Sequence, residues 1–130
     1  MPKVIIRNVI AVGMHHYSGE LTPGRGYNII HELNNVHDPN ACGIVENGME
    51  QHPKVLGHLK RDAAQLLSKV IDARLASNGR YYLKPKGRCF FHSRRYGKVQ
   101  MCTAGFMVKT EDVTRAKDIV LNQGFPVLFP

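Results

Sequence analysis

From Ala73 to Thr110 the chain has no acidic residue. That stretch holds nine of its 18 Lys and Arg residues: Arg74, Arg80, Lys84, Lys86, Arg88, Arg94, Arg95, Lys98 and Lys109. The remainder, with nine basic and ten acidic residues, is nearly neutral, so the whole +8 surplus is local. A one-sided block of this kind points to a polyanionic partner, nucleic acid first and acidic membrane second. Long apolar runs are also missing. Nothing approaches the ~18 residues of a membrane span, and the best N-terminal run, Val4–Val12, is interrupted by Arg7 and Asn8. No signal-peptide pattern opens the chain. The expectation is an intracellular protein without a membrane partner, nuclear if eukaryotic and otherwise cytoplasmic.

Cysteine is scarce. Cys42, Cys89 and Cys102 are odd in number and scattered, which excludes a disulfide framework and a CxxC metal signature. They read as small core residues in a reducing compartment. Seven histidines raise the question of a metal, with His15-His16, His37 and Cys42 as conceivable ligands. None has the spacing of a zinc site, and no metal or other cofactor is expected. Paired carboxylates, a Ser/His/Asp order and a phosphate-cradling glycine loop are missing as well, so no catalytic residue is assigned and an enzyme is not expected.

What the sequence does contain is enough apolar material, 43% of 130 residues, for one domain with its own core. Strands are expected over Val4–Val12, over Tyr27–Leu33 with Tyr27, Ile29, His31 and Leu33 on one face, over Ala41–Glu46 and around Val55–Leu59. Thr22-Pro23-Gly24 reads as a turn and Asn47-Gly48 as a tight hairpin. Ala63, Leu66, Leu67, Val70, Ile71 and Leu75 recur at helical spacing, predicting a helix over Asp62–Leu75 capped by Ser77-Asn78-Gly79. Further strands are expected over Arg80–Leu83, within Arg88–His92 and over Val99–Val108. A second helix should start at Thr110 as N-cap, with Val113, Ala116, Ile119 and Val120 inward and Gly124 at its end. This β-rich, helix, β-rich, helix order without repeats or linkers suggests a small barrel or curled sheet with two covering helices, a mainly β α+β fold.

Asn34 to Val45 is the segment richest in chemistry. Asn, Asp and Pro crowd its first half, and an apolar run begins at Ala41. Asp38 therefore sits at the lip of a strand in a basic chain. It is either an Asx-turn residue holding the loop or a selective hydrogen-bond acceptor. Aromatics are interleaved with the basic block: Tyr81 and Phe106 read as core, while Tyr82, Phe91 and Tyr96 are the better candidates for exposed stacking faces.

Three segments together resemble the HIRAN domain. They are Val12-Gly13-Met14-His15-His16-Tyr17-Ser18-Gly19, then Leu33–Val45 with Asn-x-x-x-Asp-x-Asn-Ala around Asp38, then Val55-Leu56-Gly57-His58-Leu59-Lys60 leading into the first helix. Weaker likeness reaches the last helix and Gly124-Phe125. The resemblance implies a modified OB-type barrel over residues 1–130, used in DNA-repair translocases as a module that binds the 3′ end of single-stranded DNA. An aromatic pair and a Tyr-Asp pair hold the terminal nucleotides in that family. They fall here on His16 and Tyr17, preceded by His15 where the translocase domain has Arg, and on His37 and Asp38. Two stacking tyrosines have thus become histidines, which offer less area.

The expected DNA-binding residues are His15, His16, Tyr17, Asn35, His37, Asp38, Lys60, Arg61, Tyr82, Lys84, Lys86, Phe91, Arg94 and Arg95. The expected partners are single-stranded DNA 3′ ends and a DNA-repair translocase or replication protein. The alternatives are a sequence-tolerant single-stranded nucleic-acid binder without end recognition, and a protein-interaction adaptor that keeps only the fold.

Overall fold

The polar pair that interrupts the first apolar run marks a bend in a strand. The first strand, β1, covers Lys3–Val12, and its inward residues are Val4 and Ile6, then Val9 and Ala11. The parity changes because Arg7-Asn8 adds one residue relative to the partner strand, and Asn8 takes the left-handed conformation, φ 60°. Asn adopts that region more readily than most side chains. Such a bulge bends the strand and raises its twist.

The computed structural model describes residues 2–16, 19–48, 54–121 and 123–129, with His16 described for its backbone alone. After β1 come β2 Tyr27–His31, β3 Cys42–Glu46, β4 Gly57–Leu59, helix α1 Arg61–Asp72, β5 Tyr82–Pro85, β6 Phe90–Ser93, β7 Gly97–Met107, helix α2 Val113–Val120 and β8 Val127–Leu128. Antiparallel pairing runs β7-β5-β2-β3-β4-β1, and β1 returns to β7, closing a six-stranded barrel. β6 extends β7 as a hairpin, and β8 lies on the first half of β1. The fold is therefore the small α+β barrel expected. No helix among the described residues is long and apolar enough to cross a membrane.

Helix α1 covers β2, β3 and β4 and buries Ala63, Leu66, Leu67 and Val70. It ends earlier than its apolar spacing predicts. Arg74 turns left-handed, φ 53°, in place of the expected Ser77-Asn78-Gly79 cap. The early stop frees Leu75 to enter the core and Ala76 to bridge Val108 beyond β7. Tyr81 then latches the turn, its hydroxyl accepting from Ala76 N at 3.1 Å while its ring meets Phe106 at 5.6 Å. With Tyr81 inside, the fifth strand starts at Tyr82 and not at Arg80.

Other boundaries also moved. β2 stops at His31, leaving Leu33 80% exposed and off the buried face. Asn47-Gly48 does form a turn, but Ile44 pairs with Gly57, so the β3–β4 connection is far longer than a tight hairpin. Thr110 opens a short 3₁₀ turn without a side-chain cap, and α2 begins only at Val113. Arg115 of α2 donates to Ala73 O at 3.0 Å, tying the two helices end to side.

One buried amide fastens the irregular chain between β1 and β2. Gln100, on β7 and fully buried, accepts from Leu21 N at 3.0 Å and donates to Leu21 O at 2.8 Å and Gly87 O at 2.7 Å. Unpaired buried backbone groups are costly. Gln100→Leu keeps the volume but orphans these partners. Urea unfolding should show a loss of about 2–3 kcal/mol with an unchanged m-value.

Candidate nucleic-acid interface

The loop between β2 and β3 is built from side-chain-to-backbone hydrogen bonds. Glu32 N donates to Ala41 O at 2.9 Å and closes its base. Asn35 Oδ1 accepts from both His37 N and Asp38 N at 3.0 Å. Asp38 Oδ1 accepts from Asn40 N at 2.9 Å, and its carbonyl accepts from Ala41 N at 3.1 Å. Asp38 is thus an Asx-turn residue. That use occupies one carboxylate oxygen, and a carboxylate has about four lone-pair sites. Among the described residues Asp38 forms no ion pair.

The carboxylate borders a hollow of about 250 Å³ lined by Asn35, His37, Asp38, Ala41, His58 and Leu59. His58 is on β4, and its Nε2 lies 2.5 Å from Glu32 Oε1. β4 pairs with the end of β1, His58 opposite Val12. Val12 in turn begins a second hollow of about 350 Å³, lined by Gly13, His15, Arg94, Arg95, Tyr96 and Gly97. The two hollows are neighbours across one strand pair.

Local sequence explains each wall. Gly57 lets Met14 press onto β4; a Cβ there would meet Met14 Cγ at 3.0 Å and Val12 O at 3.2 Å. Buried Met14 anchors the 3₁₀ turn Met14–His16 and leaves His15 exposed. On the opposite wall, Arg94-Arg95-Tyr96 forms the tip of the β6–β7 hairpin, and Gly97 at φ 65° completes it. Three-residue hairpins require a left-handed residue at this point. Tyr96 stands among cations, with Lys60 Nζ 5.6 Å and Arg95 Cζ 5.4 Å from its ring centre. Lys60 is fixed by its own amide, which donates to Ile10 O at 2.8 Å, and exposed Arg61 follows it at the start of α1.

The structure therefore gathers Asn35, His37, Asp38, Lys60, His15, Arg94 and Arg95 along one side of the barrel. Tyr17 and the side chain of His16 lie outside the described residues. Phe91 is 68% exposed on β6, opposite Lys98, and lines neither hollow. Tyr82 is not in this group. Its ring lies 4.9 Å from Lys3 Nζ, at the end of β1 remote from Val12, and packs over Gly105, where a Cβ would clash with it. Lys84 pairs with Thr103 and Lys86 N donates to Met101 O, which puts both on the edge of β7 away from β1. Arg88 is occupied by Glu20, whose carboxyl is held below its usual range by the Cys89 amide and then by Arg88. His58 was not among the expected residues. Its outward place follows from the alternation of Gly57-His58-Leu59, half-buried between two buried neighbours. Tyr96, recognisable only as an exposed aromatic, gains its cations from Lys60, remote in sequence. Among the described residues no three His, Cys, Asp or Glu side chains converge on a possible metal position.

Comparison with known proteins bears on this arrangement. No curated protein sequence matches the chain significantly. The crystal structure of the HIRAN domain of human HLTF is similar at TM-score 0.71 and 20% identity, covering 97% of this chain and 96% of that one. An NMR structure of the HLTF HIRAN domain gives TM-score 0.64 at 20% identity, covering 94% and 89%. A crystal structure of a protein from Lactobacillus plantarum gives 0.53 at 18% identity, covering 82% and 99%. At these identities the likeness speaks for the fold. The model of the HIRAN domain family matches residues 7–103, which run from the second half of β1 through most of β7 and hold every residue of the two hollows. This chain belongs to the HIRAN domain family.

Proposed function

We propose that this domain binds single-stranded DNA and reads its free 3′ end, with ionised Asp38 accepting a hydrogen bond from the terminal hydroxyl. The observation that carries this reading is a carboxylate without an ion pair among the described residues, bordering a hollow next to a cation-lined one. An ionised carboxylate only accepts. A hydroxyl donates to it; a phosphate in the same place is repelled. A hydrogen bond to a charged group contributes about 1.5–3 kcal/mol, roughly a tenfold to 150-fold preference. His37 and His15, with His16 and Tyr17, would frame the terminal nucleotide. Tyr96 supplies a face on which stacking is worth about 1–3 kcal/mol per base, while Lys60, Arg61, Arg94 and Arg95 meet phosphates. In this role the domain is a binding module that presents an end to a repair or replication motor. The cation-flanked Tyr96 also suits a second reading, sequence-tolerant single-strand binding without end recognition.

Fluorescence anisotropy separates the two. An oligonucleotide ending in a 3′-hydroxyl should bind at least tenfold more tightly than the same strand with a 3′-phosphate; equal affinities would leave only the second reading. Asp38→Asn retains an Oδ1 for the Asn40 amide, so the Asx-turn survives. The hydroxyl preference should narrow in that variant, and an unchanged preference would confine Asp38 to its turn.

Each phosphate contact on a single strand contributes about −0.7 to the slope of log K against log salt. Lys60→Gln and Arg95→Gln should each flatten that slope by about 0.7. Lys84→Gln, on the far edge of β7, should leave it as it was. A flatter slope for Lys84→Gln alone would move the phosphate path to the other side of the barrel.

A further inference from the structure

The loop that carries Asp38 is held from behind by one ring. His31, the last residue of β2, has Nε2 2.6 Å from Pro39 O and Nδ1 2.7 Å from Asp72 Oδ1 near the end of α1. Both partners only accept: a backbone carbonyl always, a carboxylate whenever ionised. A neutral imidazole has one N–H and one lone pair, so it satisfies one partner and turns its lone pair on the other. Both contacts are made together only by the doubly protonated ring. The His31 side chain is 8% exposed and Asp72 56%, so the bridge is sheltered at the ring and wet at the carboxylate.

We propose that His31 is a positioning residue, a doubly protonated clamp that holds the Asp38 loop against α1 and couples 3′-end reading to its own protonation. Pro39 follows Asp38 directly, and the backbone on either side of the clamp carries the Asx-turn. Releasing Pro39 O frees the segment that aims the carboxylate. This deepens the reading of Asp38 as the hydroxyl acceptor and rests on it.

The groups around the ring favour the charged form. Asp72 faces it from α1 and Asp38 from the loop. Cys42, its partner on β3, is neutral because burial pushes that thiol up to about 12. Glu32, the next residue, is engaged with His58 of β4. Arg80 opposes, as a cation lining the same hollow as His31 and Asp72. Burial pulls His31 down, but the Pro39 carbonyl, the Asp72 hydrogen bond and charge, and the Asp38 charge outweigh it and raise the midpoint above the ordinary 6.5. With a raised folded midpoint, the clamp is fully present below about 6.5 and is lost as pH rises through the folded value.

The test uses long-range nitrogen spectra of the histidine rings in the whole chain, with Asp72→Asn as the variant, since Asp72 is exposed and its loss spares the core. In the unmodified protein both His31 nitrogens should carry protons at about pH 6, below the ordinary midpoint, and Asp72→Asn should lower the midpoint. In parallel, the amides of Asn40 and Ala41 should exchange faster above the midpoint than intrinsic base catalysis requires. Binding is compared between a 3′-hydroxyl and a dideoxy 3′ end, because neither end titrates in this range. The hydroxyl preference should fall about threefold to tenfold across the His31 midpoint, and the fall should shift to lower pH in Asp72→Asn.

A single protonated nitrogen at about pH 6, or a midpoint that Asp72→Asn does not move, overturns the clamp. A hydroxyl preference constant across the midpoint overturns the coupling. No hydroxyl preference at any pH would instead remove the proposed end reading. The ring spectra and amide exchange would then decide the clamp by themselves.

Discussion

The pairing of β1 with β7 closes the barrel, and the extra residue at Arg7-Asn8 is what allows one strand to make it. Without the bend, β1 would run straight past its partners. With it, the strand lies along β7 on one edge and receives β8 and then β4 on the other. Its final residues thereby become the seam between two hollows. The Asp38 loop reaches that seam through β4, and the Arg94–Tyr96 hairpin reaches it through β7. Each wall of the groove is attached to β1 by backbone pairing, which fixes position more firmly than side-chain contact alone.

The division of labour within the groove follows from this attachment. Asp38 spends one carboxylate oxygen on the turn, and the proposed function assigns the other to the terminal hydroxyl. Lys60, Arg94 and Arg95 stand one strand pair away, and among the described residues none forms an ion pair with it. An acid kept apart from nearby bases can discriminate between a donor and an anion, whereas a paired acid could not. Cations grouped on an aromatic ring suit a backbone that changes sequence but not charge.

The elements with clear periodicity were legible: the strands β1, β3 and β7, the inward stripe of α1, and Tyr81 and Phe106 in the core. The early end of α1 was not, because Leu75 continues the helical spacing while belonging to a different layer. The basic block was legible as a charge but not as a surface. Winding around the barrel sends Arg80, Lys84 and Lys86 to other sides and leaves Arg94 and Arg95 near the seam. Arg88 is taken up by Glu20, remote in sequence. For the same reason Lys60 and Tyr96 gave no joint signal: their meeting depends on barrel closure. His31 looked like one more residue of an alternating strand. Its two acceptors come from a loop and a helix that only the tertiary fold brings to it.

The burial of the thiols has a chemical consequence. Cys42 and Cys102 are both pushed up to about 12 by desolvation, and Cys89, the most accessible of the three, is raised as well, by burial and then by Glu20. Electrophiles and peroxides attack the thiolate form of cysteine, so the raised values make these three thiols poor targets at neutral pH. The fold thus keeps its three thiols out of that chemistry.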